Sequence, residues 1–486
     1  MSFSRRRFLT LAGASAAGVT VLSPLEAFYA KVARGEMKRV TGYGLLEPKL
    51  PLNTSELTNT VAGDLSGETL LALPPGFNYR VLSVTGQTMS DGTIVPAGHD
   101  GMAAFPGPRN TTILVRNHEL GESSENPVVG SPRYSRGAQG GTTTLLVGPN
   151  RELIKDFASL AGTIRNCAGG PTPWGSWISC EETFSTTTNP GTSETINHGY
   201  NFEVVADENS GLVTPVPLTD MGRFSHEAVA VDPNTGDVYE TEDRGDSCFY
   251  RFEPNVKPTK PGDLAKGGTL YALKIKDQFA VNTSNNPNLG GQVGRITVGK
   301  PLKVEWVKVD NPNPTTEGSR RGVRFQAQDK GAAIFYRGEG AWYDNGLIYF
   351  IATQGGPPAF DSTRGNGQVW VYNIAAQELT LLIEASPSGE ILDEPDNITV
   401  APFGDLFLCE DGGGEQYVVG VNQKGELYQF AKNVLFANNT DPEKEDFVDN
   451  EFAGACFSPD GQTLFVNIQT PGLTFAIWGP WSRRRS

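Results

Sequence analysis

Six times along the chain, a short strand-like run breaks at a glycine-bearing turn and resumes as a second strand-like run. The turns fall near Gly107, Gly175, Gly236, Gly346, Gly404 and Gly461. Around the third, Ala228-Val229-Ala230-Val231-Asp232-Pro233 leads into Gly236-Asp237-Val238-Tyr239. Around the fifth, Ile398-Thr399-Val400-Ala401-Pro402 leads into Gly404-Asp405-Leu406-Phe407-Leu408. Apolar runs flanking Asp, Pro and Gly are hairpins by pattern and by turn chemistry. Most successive turns lie 57 to 68 residues apart, and one gap is 110. A lone hairpin cannot bury its apolar face, so repetition at this period predicts the blades of a propeller, each completed by further strands. The long gap holds a Pro/Lys/Asn-rich stretch, 253–330, which reads as a blade with an insertion. The expected fold is all-β: a six-bladed β-propeller with loop insertions. A β-sandwich with long loops is the alternative.

Composition narrows the classes further. Of 486 residues, 57 are Gly and 33 are Pro, about one in five, against roughly one in eight on average. Long helical bundles and coiled coils do not tolerate that load. The 38% of hydrophobic residues suffices for a large core, which argues against disorder. A formal charge of -15 repels nucleic acid and anionic lipid, so neither is an expected partner. An acidic surface without an obvious dimer-forming element points to a monomer.

The N-terminus reads as an address. Ser4-Arg5-Arg6-Arg7-Phe8-Leu9 precedes a weakly apolar Ala/Gly-rich stretch, the pattern of a twin-arginine export signal. That stretch is too short for the roughly 20 residues of a membrane span, and no later segment qualifies. The expected organisation is a signal over 1–30, an extended segment over 31–60 and a propeller over 61–480. Loss of residues 1–30 leaves a charge of -17. The expected destination is periplasmic or extracellular, and the export machinery is an expected partner.

The repeat also places polar residues in phase. Each hairpin opens at a polar cluster: His99-Asp100-Gly101, Asn166-Cys167, Ser225-His226-Glu227, Arg337-Gly338-Glu339, Glu394-Pro395-Asp396-Asn397 and, weakly, Glu451. Each closes at another: Arg116-Asn117-His118-Glu119, Glu181-Glu182, Glu242-Asp243, Thr353-Gln354, Glu410-Asp411 and Asn467-Ile468-Gln469. In an antiparallel hairpin the start of one strand lies beside the end of the next. If the hairpins line a propeller axis, all these clusters meet at one mouth of the central channel. Carboxylates gathered there repel one another without cations, and together with Asn and backbone oxygens they form a ligand set suited to calcium. No Cys-x-x-Cys or His-x-x-x-His is present, which argues against structural zinc. His118 and His226 are either ligands or hydrogen-bonding supports for the carboxylate that follows each.

The five cysteines are odd in number and unlike a disulfide framework. Cys180, Cys409 and Cys456 lie in apolar runs and read as packing residues, with Cys248 similar. Cys167 lies among Asn and Gly instead, and a thiolate among carboxylates favours a softer ion such as iron. Arg337, two residues before Glu339, either meets an anionic ligand or pairs with a neighbouring acid.

At these residues the chain resembles the PhoX-type alkaline phosphatases. The resemblance rests on Arg116-Asn117-His118-Glu119, on Arg165-Asn166-Cys167-Ala168-Gly169-Gly170-Pro171 through Cys180-Glu181-Glu182, on Gly222-Arg223-Phe224-Ser225-His226-Glu227, on Arg337-Gly338-Glu339-Gly340 and on Glu394-Pro395-Asp396-Asn397. It spans about residues 44–472 and includes the twin-arginine signal. It implies a six-bladed propeller carrying Fe3+ and Ca2+ at one mouth and hydrolysing phosphomonoesters. Carried over, Cys167, Glu227 and Glu339 are implied iron ligands. Glu181 or Glu182, Glu394, Asp396 and Glu410 are implied calcium-side carboxylates, with Glu119, Glu242 and Asp243 beside them. Arg337 is the implied phosphate contact, so the catalytic set is Arg337, Cys167, Glu227 and Glu339. The implied chemistry is metal-assisted ester hydrolysis without a serine nucleophile; no Gly-x-Ser-x-Gly elbow is present. Two other functions fit the ring alone: a calcium-dependent propeller lactonase and a non-catalytic calcium-stabilised binding propeller.

Overall fold

The structure, a computed structural model, describes residues 42–290, 295–360, 362–390, 392–436 and 445–481. The twin-arginine segment lies outside these residues. Hairpins form at all six predicted turns. They pair His99–Pro106 with Thr112–His118, Asn166–Pro171 with Ser176–Glu181, and His226–Val231 with Val238–Glu242. The remaining three pair Gly338–Asp344 with Leu347–Ala352, Pro395–Val400 with Leu406–Glu410, and Phe452–Phe457 with Thr463–Ile468. The first strands of these hairpins stand side by side in a closed ring, the last against the first. Sheets extend outward from that ring, which is a propeller-like all-β arrangement.

The sheets do not separate into six blades as expected. Among the described residues, hydrogen bonding gives larger sheets of four, three, nine, six and four strands, with a two-stranded ribbon beside them. The nine-stranded sheet joins the third and fourth hairpins. Its link is Leu302–Lys308, a strand of the insertion, which pairs Leu302 with Leu379 and Lys303 with Glu378 on the neighbouring meander. The insertion thus fuses two blades along their outer edge. It also carries the strand Gly268–Ile275 and the short helix Val323–Gln328.

The N-terminal part closes the circle. Asn78–Val84 pairs with Leu473–Trp478 and so completes the sixth sheet with a strand from the opposite end of the chain. Leu71–Leu73 joins the outer strand Leu427–Asn433 of the fifth, and Glu47–Lys49, inside the segment expected to be extended, covers it as the edge. Both junctions sit over an aromatic core. The Trp481 ring lies 4.7 Å from Phe77 and 5.1 Å from Phe430, and the Tyr43 hydroxyl donates to the Trp481 carbonyl at 3.0 Å. Each such buried aromatic contributes about 1.5–3 kcal/mol by leaving water, so closure rests on packing. All five cysteines are buried and unpaired.

Candidate metal centre

Backbone register makes the six hairpins equivalent at one end. The carbonyls of Gly98, Arg165, Ser225, Arg337, Glu394 and Glu451 accept from the N–H groups of Glu119, Glu182, Asp243, Thr353, Asp411 and Gln469, in that order. Opening and closing residues therefore lie side by side in every blade. Two residues beyond each opening position stand Asp100, Cys167, Glu227, Glu339, Asp396 and Ala453. Every one of the six hairpins shifts register at this point, for instance between His99 and Met102, Asn166 and Gly169, or Gly338 and Ala341. A bulge adds a residue to one strand and re-aims its side chain. In five blades the shift takes in Asp100, Cys167, Glu227, Glu339 or Asp396; in the sixth it falls between Ala453 and Cys456, and the donor is the opening residue Glu451.

The next residues are Gly101, Ala168, Ala228, Gly340, Asn397 and Gly454, and they line a narrow void on the axis. A Cβ at Gly101 would come within 2.5 Å of the Ala168 Cα, and one at Gly340 within 2.6 Å of the Asp396 carbonyl. The absence of a side chain at these two positions lets the inner strands draw so close. Asn117 fixes this floor: its amide donates to the Cys167 carbonyl at 3.1 Å and to that of Ala168 at 2.6 Å. Its oxygen accepts from Trp177 and Ser179, both at 2.9 Å. Asn467 holds the Asp100 carbonyl in the same way at 2.6 Å.

Three sets of donor atoms result, each with all atoms within 4.8 Å of one another: Cys167/Glu182/Glu227, Glu227/Glu339/Asp396 and Asp396/Asp411/Glu451. Glu227 and Asp396 are shared, so the sets form a continuous chain across the mouth. Burial and like charge push the carboxyls upward. Burial first, then Glu339 and Asp396, hold Glu227 well above its ordinary range. Burial, then Asp243 and Asp396, do the same to Glu339. Asp396 is pushed up to about 7 and Asp411 to about 6, with burial the largest cause in each. Burial and the carboxylates of Glu227 and Glu182 likewise hold the Cys167 thiol well above its ordinary value. Groups that find mainly each other as neighbours are a site whose charge balance calls for cations. The donor chemistry fits: one set pairs a thiol with two carboxylates, whereas the other two are all-oxygen.

Two arginines face this array. Arg337 grips Asp243 through two bonds, Nε to Oδ1 at 2.7 Å and Nη2 to Oδ2 at 3.0 Å. Its Nη2 also lies 2.9 Å from Glu339 Oε1, though without hydrogen-bond alignment, so that buried oxygen stays unsatisfied. Arg165 pairs through Nη2 with Glu119 at 2.9 Å and with Glu182.

Of the residues singled out from sequence, Cys167, Glu182, Glu227, Glu339 and Asp396 come together in the three sets. Asp243 and Glu119 stand beside them in contact with the arginines. Glu181, Glu242 and Glu410 lie one residue earlier on their strands and bond elsewhere. Glu181 accepts from His198 Nδ1 at 2.6 Å and from the N–H groups of Ile164, Gly199 and Tyr200. Glu242 accepts from the Tyr250 hydroxyl at 2.6 Å and meets Arg324 at 3.4 Å, and Glu410 accepts from the Asp393 N–H at 3.0 Å. Strand alternation explains the split, since adjacent residues point to opposite faces. Glu394 stands at an opening position, where Arg364 is its largest charged influence after burial. Neither histidine supports the carboxylate after it. His226 Nδ1 turns to Glu240 at 3.2 Å, and His118 bonds the Ala97 carbonyl and Thr143. Asp100, Asp411, Glu451 and Arg165 were not assigned from sequence. Counting in phase from Cys167, Glu227 and Glu339 would have picked out Asp100.

A family model for alkaline phosphatase PhoX matches residues 58–472. The chain belongs to the PhoX family. Among solved structures it is similar to Pseudomonas fluorescens PhoX in complex with vanadate, a transition state analogue, with 19% identity and a TM-score of 0.62 over 84% of this chain and 96% of that one. At that identity the likeness shows the propeller fold that PhoX shares with this chain. A Staphylococcus aureus virginiamycin B lyase aligns at 13% identity, a TM-score of 0.39, and 83% and 99% coverage. No curated protein sequence matches the chain. Among the described residues no helix is long and apolar enough to cross a membrane.

Proposed function

We propose that this PhoX-family chain is an exported metal-dependent phosphatase that hydrolyses small phosphomonoesters at the mouth of its propeller. The observation that carries the reading is the continuous chain of three donor sets with Arg337 at its side. Cys167, Glu182 and Glu227, with Glu339 next in line, are suited to an iron-type ion. Asp396, Asp411 and Glu451 are suited to calcium. When bound, the cations would supply Lewis-acid charge stabilisation and a water acidic enough to react near neutral pH.

The chain's own residues do the positioning. The bulges hold Cys167, Glu227, Glu339 and Asp396 in place, and Asn117 and Asn467 pin the backbone beneath the mouth. Arg337 is held by Asp243 with its planar fork set for bidentate recognition of a phosphoryl group. Such fixed donors act mainly by stabilising charge and orienting the ester. The twin-arginine pattern of the first residues supports export to the periplasm or beyond, with metal loading before translocation.

The test is elemental analysis of protein purified without chelator, together with hydrolysis of a generic phosphomonoester by the same sample. Iron with several calcium ions and turnover is the expected result. Calcium without iron or turnover would overturn the phosphatase reading and leave a calcium-stabilised propeller.

A further inference from the structure

Arg165 occupies the same place in the repeat as Arg337. Each is the opening residue of its blade, two positions before an inward donor, and each carbonyl accepts from the closing residue at 2.9 Å. Both adopt the left-handed backbone region, with φ of 50° for Arg165 and 52° for Arg337. Non-glycine residues rarely adopt that region, so the surrounding structure holds both arginines in place. Glu182 and Asp243 are close neighbours among the carboxylates of the mouth. An ionic string Arg165–Glu182–Asp243–Arg337 therefore runs beside the thiol-bearing donor set.

The two guanidinium groups are not equally engaged. Arg337 commits Nε and Nη2 to carboxylates, and its side chain is 31% exposed. Arg165 donates to Glu182 through Nη2 and lies 2.9 Å from Glu119, and its side chain is 48% exposed. Arg165 is therefore the more accessible of the two guanidinium groups at the mouth.

We propose that Arg165 binds a second anionic group, on the alcohol portion of the substrate, so that the preferred esters carry a carboxylate or a further phosphate there. This rests on the phosphatase reading above. The second anion lies beyond the reacting phosphoryl group, which makes Arg165 a specificity residue.

The test compares 3-phosphoglycerate with glycerol 3-phosphate, which differ chiefly in carboxylate against hydroxymethyl. The wild-type chain is expected to prefer the carboxylate ester by about tenfold in kcat/KM, mostly through KM, the size of one charge-assisted contact. Arg165→Ala is expected to bring that ratio near one, with Arg165→Lys in between, at unchanged metal content and melting temperature. Equal losses on both esters would show that Arg165 only braces Glu119 and Glu182, and would overturn the proposal, as would a wild-type enzyme without the preference. If the wild type turns over neither ester, the phosphatase reading fails, yet calorimetry with phosphonoacetate and methylphosphonate still decides the role of Arg165. Tighter binding of phosphonoacetate that Arg165→Ala removes supports the second anion site. A preference that survives the substitution, or none at all, overturns it.

Discussion

Glu181 and Glu182 are neighbours on one strand, and their surroundings could hardly differ more. Glu181 is fully buried, yet it accepts from three backbone N–H groups and from His198. Glu182 meets Arg165 but otherwise faces Asp243, Glu119, Cys167 and Glu227, and is pushed up to about 9, burial being the largest cause. The same contrast separates Glu242, bonded to Tyr250 and Arg324, from Glu227 and Glu339. Burial alone does not make a metal site. A buried carboxylate with its own donors is a strut, whereas one surrounded by other carboxylates needs a cation from outside.

The largest break in this comparison comes from the mouth side. Glu339→Gln or Cys167→Ala removes a donor from the chain of sets, and turnover is expected to fall by about 10²–10³-fold or more. Bound metal should fall with it, while the fold persists, because Glu339→Gln keeps the side-chain volume and Cys167→Ala removes a single sulfur atom. Kinetics and elemental analysis on the purified variants check this. Unchanged turnover in both would sink the assignment.

Glu181→Gln tests the strut side and should give the reverse pattern. The amide keeps one acceptor oxygen but also presents an NH2 to backbone donors. Stability should drop by about 1–3 kcal/mol, the cost of unsatisfied buried groups. The folded fraction should retain its metal and its turnover per molecule. A denaturant titration paired with elemental analysis measures both quantities. Loss of metal at full stability would mean that Glu181 belongs to the site after all.

Stripping the metal sharpens the contrast through pH. In the metal-free protein Asp396 titrates near 7 and Asp411 near 6, above the roughly 4 of an unfolded aspartate. The folded chain then holds more protons than the unfolded chain between about pH 4 and 7. Stability therefore falls as pH rises through that window. Melting temperatures of chelated protein should be lower at pH 8 than at pH 5, and calcium should restore the loss at pH 8. A flat profile would mean that these carboxyls are not crowded as the structure places them.

The hairpins were legible in the sequence because glycine turns and alternating apolar runs are local signals. The phase of the polar clusters was legible for the same reason. What the sequence left open was which member of each Glu-Glu, Glu-Asp or Asp-Gly pair faces the axis. That choice depends on the bulge, one extra residue per inner strand, and a single-residue slip exchanges the two faces. Hence Glu182 and Glu181 could not be separated, while Glu410 and Glu242 were selected and Asp411 and Asp100 were not. The strand Leu302–Lys308, which fuses two blades, was hidden for another reason. Its partner near Glu378 is distant in sequence, and no local pattern announces an outer-edge pairing.

Glu394 gives the finest test, because it combines features of both classes. Like Arg165 and Arg337, it holds an opening position with a left-handed backbone, φ 40°. Its carboxyl is raised by burial first and is drawn down mainly by Arg364, and it belongs to none of the three donor sets. An interaction of that kind at a partly exposed rim is worth roughly 0–1 kcal/mol. Glu394→Gln should therefore change turnover by less than about fivefold and leave metal content unaltered. If it instead released metal, Glu394 would join Glu451 as an opening-position donor. Arg337 and Arg165, which share that layer with Glu394, would then act on the metal array itself, and the division between inner donors and outer arginines would have to be redrawn.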